Sequence, residues 1–309
     1  ALTNLIWAPL SSGFEGVSMS ANWMWPTKTE GERSRLYTAV EAVSEYAIEL
    51  GINIPTGKDS MSMTQKYEDD QTVDSPGTVI ISTVSEVSDI RQTITPDIKS
   101  EVNTSLVYIP LSDDSYTLDG SSYGQIKNTI GNNPATSPET QYFKTVFYHI
   151  QKLIKSNAIL AGHDVSAGGL ITTLLEMHFP TTQTGASIDL NFGSDLSKTA
   201  FSESPGIVIQ ISDELIANSF EGIKHHILGT VNLDRKFTIS STAGETALNI
   251  DELRDTWFKT SYLLDRHQSE ASHAENRYSN YKNQPLRYEF PSDWTGALSD
   301  LKIDNKRKG

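Results

Sequence analysis

A carboxylate, a hydroxyl and two glycines lie close together in the middle of the sequence. The segment 158–179, AILAGHDVSAGGLITTLLEMHF, contains Asp164, Ser166 and Gly168-Gly169. Its apolar start predicts a buried strand that ends in a turn at residues 162–164, and its later apolar residues repeat as on one face of a helix, with Ser166 as the expected N-cap. Glycines at a helix start leave backbone N–H groups open, which suits phosphate with a divalent cation. An ordinary strand-turn-helix junction explains the same pattern, so both interpretations remain open.

A second polar segment consists of Gly57, Lys58, Asp59 and Ser60. It follows a short predicted strand at residues 52–55, as a phosphate loop would, but it lacks the leading glycine of a Walker motif. In a functional site, Lys58 would supply a counter-charge, or Gly57 and Ser60 would contact phosphate closely. The alternative is a strand-to-strand turn whose charged side chains are solvated.

The composition restricts the classes of partner. The chain of 309 residues has 25 basic and 39 acidic side chains, a net charge of −14. This acidic balance disfavours non-specific binding of nucleic acid, so any phosphate site must be local. No apolar run approaches the roughly 18 residues of a membrane helix. The sequence has no cysteine, which excludes disulfides and thiolate zinc sites and is compatible with a reducing cytoplasm.

The periodicity predicts a mixed α/β protein in which helices and strands alternate. The pattern fades around residues 88–103, where we expect a domain boundary, and the polar segment 283–309 is typical of a linker or tail. The start, ALTNLIWAPL, is typical of a helix interior, so we expect a piece of a longer protein. Helices are expected at about residues 1–8, 30–50, 139–155, 214–223 and 251–281, and strands at 17–21, 52–55, 78–87, 105–111, 158–161, 186–190, 207–211, 229–231 and 236–240.

Several short motifs occur in one order and spacing that resembles a known family. They are ALTN, SANWMWP, IPTGKDSMSM, SPGTVIIS, GSSYGQ, AGHDVSAGG and FSESPG. Together they resemble the second half of the synthetase region of the large phosphoribosylformylglycinamidine synthase family, over residues 1 to about 291. Each motif alone is weak, and the resemblance rests on their combination.

The resemblance implies an aminoimidazole-ribonucleotide-synthetase-like α/β fold. Residues 1–92 would be the C-terminal part of a first subdomain, residues 93–265 a complete second subdomain, and residues 266–309 a polar helix and tail leading toward a glutaminase domain. The family's reaction is ATP-dependent. ATP activates the amide oxygen of formylglycinamide ribonucleotide by phosphoryl transfer, and ammonia from glutamine then displaces phosphate to form the amidine.

The resemblance also implies roles for single residues. Asn4 and Asp164 match magnesium ligands of the family's auxiliary nucleotide site, and Ser166 matches a contact to ATP or ADP there. Oxygen ligands suit Mg²⁺ held between protein and phosphates. The family's further acidic ligand, immediately before the position of Ala1, is absent from this chain.

Related small synthetases have a Gly-x-x-Ser turn that contacts ATP, magnesium and substrate across a pseudo-dimer interface. Gly57 and Ser60 match this turn, as nucleotide and substrate contacts respectively. Lys58 stands where those enzymes have a metal-binding Asn, so that ligand is not implied here.

We therefore expect a cytoplasmic fragment of an ATP-dependent ligase that is inactive alone and has no nucleic-acid or membrane partner. Its partners would be the first synthetase half and the glutaminase domain of the same polypeptide. One alternative is a non-catalytic nucleotide-binding scaffold. Another is a stand-alone enzyme resembling aminoimidazole-ribonucleotide synthetase, which requires a complete first subdomain.

Overall fold

The computed structural model describes residues 1–69, 71–112, 116–193, 195–283 and 292–293. The chain forms two compact units, Ala1–Arg254 and Asp255–Gly309. The helices are α1 (Leu2–Leu5), α2 (Glu32–Leu50), α3 (Ser122–Ile126), α4 (Thr140–Lys155), α5 (Gly169–His178), α6 (Leu196–Phe201), α7 (Asp213–Ser219), α8 (Ile250–Gln268) and α9 (Ala271–Asn280). The strands are β1 (Ser18–Met24), β2 (Asn53–Ser60), β3 (Thr64–Lys66), β4 (Thr72–Asp74), β5 (Thr78–Val84), β6 (Thr104–Pro110), β7 (Ile159–Asp164), β8 (Gly185–Asp189), β9 (Gly206–Ser212), β10 (His226–Asn232), β11 (Phe237–Ser241) and β12 (Gly244–Leu248).

A seven-stranded sheet of order β12-β11-β8-β10-β6-β9-β7 is the larger sheet of the first unit. Its neighbouring strands are antiparallel except β8 and β11, which are parallel. Along β6, Val107 and Ile109 belong to one apolar cluster, which includes Phe147 of α4, whereas Leu106 belongs to a second, which includes Leu174 of α5. Because successive side chains of a strand point to opposite faces, α4 and α5 cover opposite faces of this sheet.

A smaller sheet of order β2-β1-β5 lies nearer the start of the chain. Strand β1 pairs with β2 in parallel and with β5 in antiparallel orientation. Helix α2 precedes β2 and ends at Gly51, whose φ of 76° provides the left-handed cap that favours glycine. Leu50 and Met19 are buried in the same cluster as Phe143 of α4. The two sheets therefore share one core within the first unit.

The mixed α/β class predicted from the sequence is confirmed, and the long helices α2 and α4 begin and end within two residues of their predicted bounds. Helix α4 starts at Glu139, whose carboxylate accepts the N–H groups of Gln141 and Tyr142 at 2.9 and 2.7 Å. These two hydrogen bonds lower the pKa of Glu139. The Glu139 side chain thus caps the start of α4.

Other predicted elements were wrong in detail. Residues 57–60 are not a turn, because they continue β2 in register with β1. Residues 162–164 likewise belong to strand β7, which pairs with β9. The helix expected at 251–281 is divided into α8 and α9, and β12 was not predicted. The predicted tail lies outside the described residues apart from 283 and 292–293. Among the described helices, none combines the length and apolar character needed to cross a membrane.

Candidate functional site

Asp164 is the last residue of β7, at the edge of the seven-stranded sheet. Its Oδ2 accepts a hydrogen bond from Thr3 Oγ1 at 3.1 Å, and its Oδ1 lies 3.4 Å from His163 Nδ1. Burial by itself would raise the pKa of Asp164, but hydrogen bonds from His163 and Thr3 outweigh burial and keep the pKa below its ordinary value. The side chain is therefore a carboxylate at neutral pH.

His163 is half-buried between two acidic side chains. Its Nε2 lies 3.7 Å from Glu176 Oε2 on helix α5. The hydrogen bond to Asp164 raises the pKa of His163, with a further contribution from Glu176, although burial opposes the shift. The two acidic side chains thus stabilise the protonated form relative to a free histidine.

Helix α1 holds Asn4 next to Thr3, whose hydroxyl donates to Asp164. Asn4 itself is exposed. The indole of Trp7 lies against Gly162 of β7, where a Cβ atom would come within 2.2 Å of the ring. Glycine at 162 therefore permits the close contact between the start of the chain and β7. The sequence contained no local signal for this contact.

Ser166 does not cap helix α5, contrary to the prediction. The N-cap is Gly168 at φ 87°, and no side chain caps the helix. Gly169 also has a positive φ of 74°, and its N–H donates to the backbone oxygen of Ser166 at 3.0 Å. Two successive left-handed glycines thus start the helix later than a serine cap would, and they leave the Ser166 side chain exposed.

Gly57 and Ser60 lie in strand β2 rather than in a phosphate loop. Gly57 pairs with Ala21, and a Cβ atom at Gly57 would lie 2.2 Å from the Ala21 oxygen. Lys58 Nζ donates to Ser60 Oγ at 2.7 Å. In the described part of the chain, no hydrogen bond or ion pair joins Gly57 or Ser60 to Asp164. The structure therefore brings together Asp164 and the helix of Asn4, and it does not link these two β2 residues to them.

A cavity of about 480 Å³ opens beside Thr3 and Val165. Most of its wall is apolar, and its polar lining includes Thr3, Tyr46, Ser137 and Glu203. Burial, together with the nearby Glu139 and Glu49, raises the pKa of Tyr46 to about 12, so its phenol keeps its proton. The apolar wall residues include Leu2, Met19, Val43, Ile54, Ile81 and Phe143. An apolar cavity with a few polar groups is the usual form of a small-molecule site.

Glu203 lines the same cavity. Its Oε1 accepts the backbone N–H groups of Ser122 and Gly168, both at 2.8 Å. The Gly168 N–H that the sequence suggested was open to phosphate is therefore occupied by a carboxylate. The motif FSESPG was the one signal that could have drawn attention to Glu203.

The metal-binding capacity of the described residues is limited. Over those residues, no group of three or more His, Cys, Asp or Glu side chains could hold a metal ion. The oxygen atoms of Asp164 and Asn4 suit Mg²⁺, which in nucleotide sites often takes one or two protein ligands and completes its octahedron with phosphate and water. The residues present therefore fit a nucleotide-bound Mg²⁺ better than an ion held by protein alone.

Two family models match the chain. Residues 1–86 match the FGAR-AT PurM_N-like domain, and residues 112–231 match the C-terminal domain of AIR synthase related protein. Among solved structures, Thermotoga maritima PurL complexed with FGAR aligns with 82% of this chain and 41% of its own, at a TM-score of 0.59 and 12% identity. The hydrogenase maturation protein HypE aligns at a TM-score of 0.56 and 12% identity, over 80% of this chain and 79% of its own. These structures establish likeness of fold alone.

The curated relatives are more similar in sequence. A probable phosphoribosylformylglycinamidine synthase of Arabidopsis thaliana, named as chloroplastic/mitochondrial, is 37% identical over 95% of this chain and 21% of its own length. Phosphoribosylformylglycinamidine synthases of Dictyostelium discoideum and Homo sapiens are 33% and 34% identical over 91% and 87% of the chain, respectively, and over 23% and 21% of their own lengths. The chain therefore belongs to the phosphoribosylformylglycinamidine synthase family, and it spans about a fifth of the length of these relatives.

Proposed function

We propose that this chain supplies the nucleotide- and magnesium-binding part of an ATP-dependent carbon–nitrogen ligase. The whole enzyme would convert formylglycinamide ribonucleotide, ATP and glutamine into formylglycinamidine ribonucleotide in purine biosynthesis. ATP would phosphorylate the substrate's amide oxygen, and ammonia released from glutamine would displace phosphate. The names of the curated relatives support this assignment. The likeness in fold to Thermotoga maritima PurL, which has been solved in complexes with ATP, ADP and FGAR, supports it too.

One observation carries the proposal for this chain. The hydrogen bond from Thr3 to Asp164, between residues 161 positions apart, fixes the helix of Asn4 against the end of β7 beside an apolar cavity. Asp164 and Asn4 would be the protein ligands of Mg²⁺, which when bound would neutralise charge on the nucleotide phosphates. Asp164 contributes an ionised carboxylate, and His163 orients it through their contact.

We also propose ligand contacts for three further residues. The exposed hydroxyl of Ser166 would contact the nucleotide near Asp164. Gly57 would contact nucleotide and Ser60 substrate from strand β2, where Ser60 already accepts a hydrogen bond from Lys58. Because β2 is an edge strand of the smaller sheet, its backbone is open on one side. This edge would face the remainder of the polypeptide, including the first synthetase half and the glutaminase domain.

Isothermal titration of the 309-residue chain with Mg²⁺-ADP and Mg²⁺-ATP tests the proposal. We expect micromolar binding by the unaltered chain and a loss of about tenfold or more for Asp164→Asn, because the neutral amide is a weaker magnesium ligand. Asp189→Asn is the matched control, since Asp189 ends strand β8 as Asp164 ends β7 and is exposed. Equal affinities for the unaltered chain and Asp164→Asn would refute the assignment.

A non-catalytic scaffold is the second candidate function. It is favoured by the scarcity of acidic ligands, since within the described ranges no three-residue metal-ligating group is found. Incubation of the chain with ATP, Mg²⁺, ammonium and formylglycinamide ribonucleotide should give no amidine if the chain only binds nucleotide. Clear turnover would instead favour a stand-alone synthetase.

We further propose that the chain consists of two subdomains and a connecting segment. The subdomains at residues 1–92 and 93–265 are supported by family matches that fall inside them, at 1–86 and 112–231. Residues 266–309 would connect to the glutaminase domain. We also propose a cytoplasmic location, which a fluorescent fusion of the natural full-length protein would test, since one relative is named as an organellar protein.

A further inference from the structure

Glu203 joins three segments that are far apart in the sequence. The segment 202–205 between α6 and β9, which contains Glu203, meets the start of helix α3 and the glycine pair at the start of helix α5. The carboxylate oxygen Oε1 accepts from Ser122, 81 residues away, and from Gly168, 35 residues away, each at 2.8 Å. A carboxylate that accepts backbone N–H groups at two helix starts makes charge-assisted hydrogen bonds, which are stronger than neutral ones.

The surrounding contacts hold Glu203 in one position. Ser202 and Ser204 share a hydroxyl hydrogen bond of 2.7 Å, which closes the segment 202–205 on itself. The N–H of Val165 donates to the oxygen of Gly206 at 2.8 Å, which ties the end of this segment to the residue after Asp164. At Gly169, a Cβ atom would lie 2.6 Å from the carbonyl carbon of Phe201. The backbone of the glycine pair is thus packed directly beside the segment that presents Glu203.

Glu203 also lines the cavity of about 480 Å³. Thr3, Val165 and Glu203 all line that cavity, and Thr3 is the hydrogen-bond donor to Asp164. The segment held by Glu203 therefore contains Ser166 and lies between the carboxylate end of β7 and helix α5. A shift of Gly168 would move Ser166 and the cavity wall together.

We infer that Glu203 is a positioning residue of the nucleotide site, an inference that rests on the proposed function and extends it. Its carboxylate takes the place that a phosphate would occupy at Gly168, so the ligand's phosphates bind on the Asp164 and Ser166 side. Its effect on affinity passes through the segment 165–169. Glu203 itself makes no contact with the nucleotide.

The first measurement is hydrogen exchange at two backbone amides. In the unaltered chain, the Ser122 and Gly168 amides should be protected. In Glu203→Ala, both should exchange about tenfold faster or more, because one side chain protects them both. Glu203→Gln keeps an acceptor oxygen and should preserve most of the protection. Glu221→Ala, which removes an exposed turn glutamate of the same unit, is the matched control. Unchanged exchange in Glu203→Ala would overturn the inference.

The second measurement is Mg²⁺-ADP affinity by calorimetry on the same variants. We expect Glu203→Ala to bind about tenfold more weakly, since misplacement of a site by an ångström is costly. Glu203→Gln should remain within about threefold of the unaltered chain. Equal affinity of Glu203→Ala, with faster exchange or a lower melting temperature, would assign Glu203 a structural role only. Tighter binding by Glu203→Ala would mean that its carboxylate competes with phosphate. Either result would overturn the inference.

Nucleotide binding by the chain and the positioning role of Glu203 can be refuted separately. If the unaltered chain binds no nucleotide, the proposed function falls and the positioning role falls with it, whatever the exchange data show. If the unaltered chain binds and Asp164→Asn does not, the function stands and the Glu203 variants alone decide the inference.

Discussion

The seven-stranded (larger) sheet and the three-stranded (smaller) sheet of the first unit differ in how completely this chain covers them. Strands β6 and β9 of the larger sheet lie between α4 and α5, and Ile109 and Ile209 are wholly buried. In the smaller sheet and its helix α2, apolar side chains are open to solvent, including Ile80 at 50% exposure and Ile48 at 77%. The larger sheet is thus stabilised by apolar packing on both of its faces within this chain. The smaller sheet packs on this chain's core with one face only.

The comparison predicts a large difference between two matched isoleucines. Ile209→Ala in β9 should lower the free energy of unfolding by about 2–5 kcal/mol, because it leaves a cavity in a core covered on both faces. Ile80→Ala in β5 should cost less than about 1 kcal/mol, since half of that side chain is already in water. Urea denaturation of both variants measures the difference. Similar losses would mean that the smaller sheet is as tightly packed as the larger one.

The same difference explains what the sequence could predict. Helices α2 and α4 were predicted because apolar periodicity is a local signal, and α2 ends just before Gly51. Strands β6 and β9 were predicted because each is a short, nearly continuous run of apolar residues. The structure buries both faces of these strands, which explains that composition.

Features that depend on distant partners were missed. Residues 57–60 resemble a turn until β1 is placed beside them, and then Gly57 pairs with Ala21. Ser166 resembles a cap until two left-handed glycines intervene. The polarity of Asp164 could be noticed in the sequence, but not its partner Thr3, 161 residues away. The role of Glu203 likewise depends on N–H groups that only the folded chain brings together.

A substitution at Gly57 tests whether strand β2 of the smaller sheet is nevertheless held firmly against β1. Gly57→Ala should destabilise the chain by about 1–3 kcal/mol without any ligand, because the new methyl group would overlap the backbone of β1. The ideal Cβ atom lies 2.2 Å from the oxygen of Ala21. Asp59→Ala, an exposed position of the same strand, is the control and should change little. If Gly57→Ala unfolds at the same urea concentration as the unaltered chain, β2 can move away from β1, and Gly57 has no structural role there.

The smallest predicted effect is a pH dependence of the unfolding free energy that arises from a buried histidine of helix α5, on the larger sheet. No histidine precedes His149 in the sequence, so the smaller sheet has none. His178 of α5 is wholly buried, and its Nδ1 lies 2.7 Å from the oxygen of Leu174. Burial lowers the pKa of His178, and the backbone contact opposes this only in part.

The sign of the effect follows from proton binding. Below about pH 6.5 the unfolded chain protonates this histidine, whereas the folded chain resists protonation, so stability is lost as the pH falls. His178→Gln should therefore show a shallower loss of unfolding free energy between pH 6.5 and 5, by at most about 1.4 kcal/mol per pH unit. The contribution of His163, whose raised pKa has the opposite sign, is common to both proteins and cancels in the comparison. Exposed His267→Gln should follow the unaltered chain. Identical slopes for all three proteins would show that His178 reaches water in the native state, and that the larger sheet is less completely closed than its packing implies.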